Sequence, residues 1–89
     1  EGLLVQKVSK GSIAAEMGLR AGTIPIGAGE SQILIGGDII VEIGGLSVYV
    51  NRAGRQRIID YIASIPPGDD LNLTVIRAGK KLTLKAPKQ

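Results

Sequence analysis

The chain has 89 residues, 44% of them hydrophobic, and a formal net charge of +3. It contains no Cys and no His, so neither a Ser-His-Asp triad nor a Cys-His pair can form within it. Zinc, haem and iron–sulfur ligation lose their usual donors for the same reason. Only carboxylates remain for a hard cation, and no cofactor or metal is expected. The length fits a single domain, residues 1–89. Thirteen Ile, nine Leu and six Val stand against two aromatics, Tyr49 and Tyr61. The core is therefore aliphatic and rich in β-branched residues, which favours strands. The positive charge is spread along the chain, so a nucleic-acid partner is not expected. No run of 18 apolar residues is present to span a membrane. The opening at Glu1-Gly2 runs straight into a strand-like segment, as expected of a piece of a longer protein.

In chain order, Leu3 to Val8 reads as a strand and Ser9-Lys10-Gly11-Ser12 breaks it. Ser12 is placed to cap a short helix over residues 13–17, with Glu16 near its positive end. Gly18 suits the left-handed position that terminates such a helix, and Leu19 follows as the apolar residue that folds back on it. Residues 22–37 carry five glycines around Ile24-Pro25-Ile26 and Ile33-Leu34-Ile35, the pattern of a loop or small irregular hairpin. Asp38 to Ile43 is a strand, Gly44-Gly45 a tight turn, and Leu46 to Val50 a second short strand.

Asn51 to Gly54 reads as a loop. From Arg55 to Ile65 the apolar residues fall at 58, 59, 62 and 65, which is helical spacing, and Pro66-Pro67-Gly68 ends the helix. Leu71 to Arg77 alternates as a strand, Ala78-Gly79 is a two-residue turn, and Lys80 to Lys85 returns. Ala86 to Gln89 is expected to be a frayed polar tail.

The ordered fragments Gly2-Leu3-Leu4-Val5, Gly11-Ser12-Ile13-Ala14-Ala15, Gly18-Leu19-Arg20-Ala21-Gly22, Gly37-Asp38-Ile39-Ile40, Ile43-Gly44-Gly45, Pro67-Gly68-Asp69 and Val75-Ile76-Arg77-Ala78-Gly79-Lys80 resemble a PDZ domain of the circularly permuted bacterial type. The resemblance spans nearly the whole chain. It implies an α+β fold, a small partly open barrel or sandwich of about five strands with two helices. In the permuted form the family's first strand moves to the end, where Lys81 to Ala86 would supply it. Each fragment also has a plain folding reading: small residues let a short helix lie close to a sheet, and Asp38 can bond local backbone at a turn. The 14 residues Thr23 to Gly36, set between Gly22 and Gly37, make the chain similar to the PDZ domains of trypsin-like HtrA/Deg serine proteases. That likeness implies an attached protease domain, a role in protein quality control, and a periplasmic or extracytoplasmic location.

The family binds extended or C-terminal peptides by β-augmentation beside a helix. By this resemblance Arg55, Ile59 and Ile62 would face the peptide, favouring a hydrophobic final residue, with Arg55 attracting an acidic group. The competing reading puts Ile58, Ile59, Ile62 and Ile65 in the core, with Arg55 solvated. Gly2-Leu3-Leu4-Val5 resembles the carboxylate-binding loop of the family. Its position nine residues before Gly11-Ser12 fits the following strand better, which would put the true loop upstream of Glu1. An edge strand without its partner would then favour a homodimer or poor solubility. The alternative function is a structural or assembly module of a secretion system, or of another membrane-associated protease, that reads no peptide C-termini.

The remaining motifs carry little. Residues 27–32 begin like a dinucleotide fingerprint but lack its third glycine. Asp69-Asp70 offers too few ligands for a metal. Arg52, Arg55 and Arg57 have no interleaved aromatics on which bases could stack.

Overall fold

Alternation along two long segments near the end of the chain builds the centre of the molecule. The computed structural model describes residues 2–88. Strands β6 (Asp70–Arg77) and β7 (Lys80–Pro87) form a hairpin in full register, from Asp70 opposite Pro87 to Arg77 opposite Lys80. The period of two puts Leu71, Leu73 and Val75 on one face, opposite Ala86, Leu84 and Leu82. Leu71, Leu73, Val75 and Ala86 are buried. The joining turn has positive φ at both Ala78 (51°) and Gly79 (77°), as a two-residue turn matched to the strand twist requires.

Strand β4 (Ile39–Ile43) pairs with the other side of β6, through a register shift between Ile40 and Glu42. The shift lets Ile40 and Ile43, three residues apart, both pack into the core. Along the remaining side of β4 lie β1 (Leu3–Leu4) and β5 (Leu46–Ser47), both antiparallel to it. Helix α1 (Ile13–Glu16) and helix α2 (Arg52–Ser64) supply Ile13, Ile58, Tyr61 and Ile62 to cover the inner face. The result is an α+β domain whose sheet does not close into a barrel. A separate two-stranded sheet, β2 (Ile24–Ile26) with β3 (Ile33–Ile35), stands off from the main one.

Helix α1 is short but has a built end at each side. Ser12 Oγ accepts from the Ala15 N–H at 3.1 Å. At the other end Gly18 N–H donates to Ala15 and Leu19 N–H to Ala14, the paired bonds that close a helix on a left-handed residue. Gly18 supplies that conformation at φ 87°. Leu19 packs on the core, as its position predicts.

Four expectations change. The strand expected over Leu46 to Val50 ends at Ser47. The first strand is two residues long, because Val5 leaves β1 to bond both Asp38 and Gly22. Helix α2 begins at Arg52, not Arg55, because Asn51 caps it: Asn51 Oδ1 accepts from Gly54 N–H at 2.7 Å. The segment after Lys85 is structured, with Ala86 buried. Lys88 exchanges backbone bonds with the 68–69 turn, its N–H to Asp69 and its carbonyl from Gly68. Its Nζ also donates to the carbonyls of Ile62 and Ile65, both at 2.9 Å. Gln89, the last residue of the expected frayed tail, lies outside the described residues.

Candidate functional site

The start of α2 is held close to the segment that joins it to β5. A Cβ at Gly54 would fall on the Tyr49 carbonyl, so only glycine permits this approach. The closeness brings Val48, Tyr49 and Val50 beside the first two turns of α2, with Leu3 of β1 across from them. Between them runs an open groove of about 450 Å3 whose apolar wall is made by Leu3, Val50, Ile58 and Ile59. Several of these side chains are far from buried: Leu3 is 38% exposed, Val50 59% and Ile59 50%. Arg52 and Arg55 are the charged residues of the groove, so its field is positive.

The residues singled out from the sequence are distributed unevenly. Arg55 and Ile59 line the groove. Ile62 does not; it is half-buried and packs against the core. Of Gly2, Leu3, Leu4 and Val5, Leu3 lines the groove, and Leu4 lines a separate hollow at the root of the β2–β3 hairpin. Val5 is buried. Its N–H donates to Asp38 and its carbonyl accepts from Gly22, both at 3.0 Å. A carboxylate nest needs several free N–H groups turned to one point; here the segment is strand, and the Val5 N–H is already used. The sequence marks Leu3 only as part of a carboxylate loop, and marks neither Val50 nor Arg52 as a groove residue. The signal for Arg52 was Asn51, a preferred helix cap standing just before it.

One edge of the sheet runs beside the groove. Among the described residues β1 pairs with β4 alone. Bonded and non-bonded residues alternate along an antiparallel pair. Since the Val5 N–H points to β4, the Leu4 N–H and carbonyl point away, to the open edge. That edge carries no charge across Gly2, Leu3 and Leu4. The opposite edge, β7, carries exposed Lys80, Lys81 and Lys85. Lysines on an edge strand discourage pairing with another chain; β7 has this protection and β1 lacks it.

Away from the groove, Asp38 lines the hollow at the root of the β2–β3 hairpin and anchors the entry to β4. It is fully buried, and its carboxylate is completely bonded. Arg77 donates from Nε to Oδ1 at 2.8 Å and from Nη2 to Oδ2 at 2.7 Å. The Arg20 N–H donates to Oδ2 at 2.9 Å. Arg77 Nη2 also reaches the Gly18 carbonyl at 2.8 Å, tying the end of α1 to β6. The Arg77 hydrogen bonds hold the Asp38 carboxyl below the usual carboxylate range, against burial, with the Arg20 N–H adding to them. The network ties the end of α1, the entry to β4 and the end of β6 together.

The family model for the PDZ domain matches residues 1–87. The match covers almost the whole chain, and the chain belongs to this family. PDZ domains are non-catalytic modules that bind peptides or proteins. No curated protein and no solved structure matches the chain significantly.

Proposed function

We propose that this PDZ domain takes an extended peptide segment along the open β1 edge, with the segment's side chains against α2. The observation that carries this reading is the coincidence of three features in one place. These are an edge strand with free backbone groups and no charged gatekeeper, an apolar strip from Leu3 to Ile59, and a facing helix. Backbone pairing at Leu4 supplies affinity, and the wall of Ile58, Ile59 and Val50 selects an apolar residue. Arg55 sits where it would attract an acidic side chain or a terminal carboxylate. The chemistry asks for no cofactor, in keeping with the absence of His and Cys.

The longer context belongs to the same proposal. The inserted segment, Thr23 to Gly36, supports kinship with the permuted PDZ domains of HtrA-like serine proteases. The module would then regulate or target an attached protease domain outside the cytoplasm.

Titration of the chain with peptides ending in Val, Leu or Ala, followed by amide resonances, tests the groove. Leu3, Leu4, Arg55 and Ile59 are expected to shift together, with Ile62 moving less. Shifts confined to β7, or none between residues 52 and 59, would reject the assignment.

A further inference from the structure

The β2–β3 hairpin has a property that its pairing alone reveals. Ile24 lies opposite Ile35, Pro25 opposite Leu34, and Ile26 opposite Ile33. Cross-strand partners share a face and successive residues alternate. All four isoleucines therefore lie on one face, with Pro25 and Leu34 on the other. Ile24, Ile26 and Ile33 are 55%, 49% and 46% exposed.

Neither edge of this hairpin is available for strand pairing. On β2 the outward-facing position is Pro25, which has no N–H to donate. On β3 the outward groups of Leu34 are already taken by the Gln6 side chain. Its Oε1 accepts from the Leu34 N–H and its Nε2 donates to the Leu34 carbonyl, both at 2.8 Å. What the hairpin offers is thus a face of isoleucines on a tethered arm, not a strand edge. Between Thr23 and Gly37 the only charged residue is Glu30, at the tip.

The same molecule carries the complement. The α2 groove is apolar along Leu3, Val50, Ile58 and Ile59, and its charges are two arginines, Arg52 and Arg55. We infer that the occupant of the hairpin's isoleucine face is a second copy of this chain. The Ile24–Ile26–Ile33 face lies in the partner's α2 groove, with Glu30 against Arg52 and Arg55. A single contact of three half-exposed isoleucines is small beside the roughly 1,200 Å2 that a stable interface needs, and a reciprocal pair of contacts doubles the area buried. The association is therefore a closed two-fold dimer. This inference uses the groove of the proposed function, and it makes a second copy a competitor of peptide there.

Sedimentation at increasing concentration tests it, with Ile26→Asp and Ile33→Asp in the hairpin and E30R against R52E/R55E for the charges. All of these positions are exposed and none packs against the core, and circular dichroism checks that each variant folds. The wild-type chain is expected to dimerise, and either aspartate should raise the dissociation constant about tenfold or more. E30R alone and R52E/R55E alone should each weaken the dimer. Their equimolar mixture should restore it, because both reciprocal contacts then pair opposite charges. A monomer at every concentration overturns the inference, as does a dimer indifferent to Ile26→Asp, the behaviour of edge-to-edge pairing through β1. Peptide binding by the Ile26→Asp chain is scored separately, since it tests the groove whether or not the dimer exists.

Discussion

Asp38 and Ala78 show how single residues set the terms of this fold. The Asp38 carboxylate is buried and bonded to Arg77 and to the Arg20 N–H, so three separate segments meet on one side chain. Asp38→Ala should destabilise the domain by about 2–3 kcal/mol, because it strands the Arg77 guanidinium and the Arg20 N–H together. Chemical denaturation reads this directly. The pH dependence follows from the direction of the shift. The folded-state pKa of Asp38 lies below its unfolded value of about 3.9. Its contribution is therefore complete above that value and is lost as pH falls through the lower folded pKa. Asp38→Asn should flatten the acid limb of the stability profile, and an unchanged limb would assign acid sensitivity elsewhere. Ala78 is the reverse case, a non-glycine residue held at φ 51°. Asparagine tolerates that conformation better, so Ala78→Asn should raise stability by about 0.5–1 kcal/mol, seen as a higher Tm.

At the scale of elements, α2 positions the groove and is secured at both ends by residues outside its apolar pattern. Asn51 caps the start and Lys88 bonds the last carbonyls. Asn51→Ala should cost about 1 kcal/mol and fray the turn that carries Arg52 and Arg55, weakening peptide binding along with stability. Lys88→Ala should cost about 0.5–1 kcal/mol and leave the groove intact, since it acts at the far end of the helix. A titration of each variant separates the two. These ends also mark where sequence reasoning reached and where it stopped. The alternation in β6, the Ala78-Gly79 turn, the cap at Ser12 and the stop at Gly18 are local patterns, and all were legible. The start of α2 was not, because Gly54 reads as a loop residue until Tyr49 is seen packed where its side chain would be. The role of Lys88 depends on a contact with residues 62 and 65, which no local pattern announces. Nor does periodicity say which helical isoleucine leaves the core; Ile59 does and Ile62 does not.

For the whole molecule, the two edges of the sheet differ in kind. β7 bears lysines, and β1 bears none and flanks the groove. Much of this asymmetry is invisible along the chain, since strand order places the beginning of the sequence and α2 on opposite walls of one cleft. The same topology leaves the β2–β3 hairpin as an arm, although its residues read from sequence only as a small irregular hairpin. The central claim is that the β1 edge receives an extended chain. Amide hydrogen exchange of Leu4 with and without a saturating peptide ending in Val tests it most directly. The account predicts that the Leu4 amide gains protection on binding, while Val5, already bonded to Asp38, and the β7 amides stay as they were. New protection along β7 with none at Leu4 would contradict it.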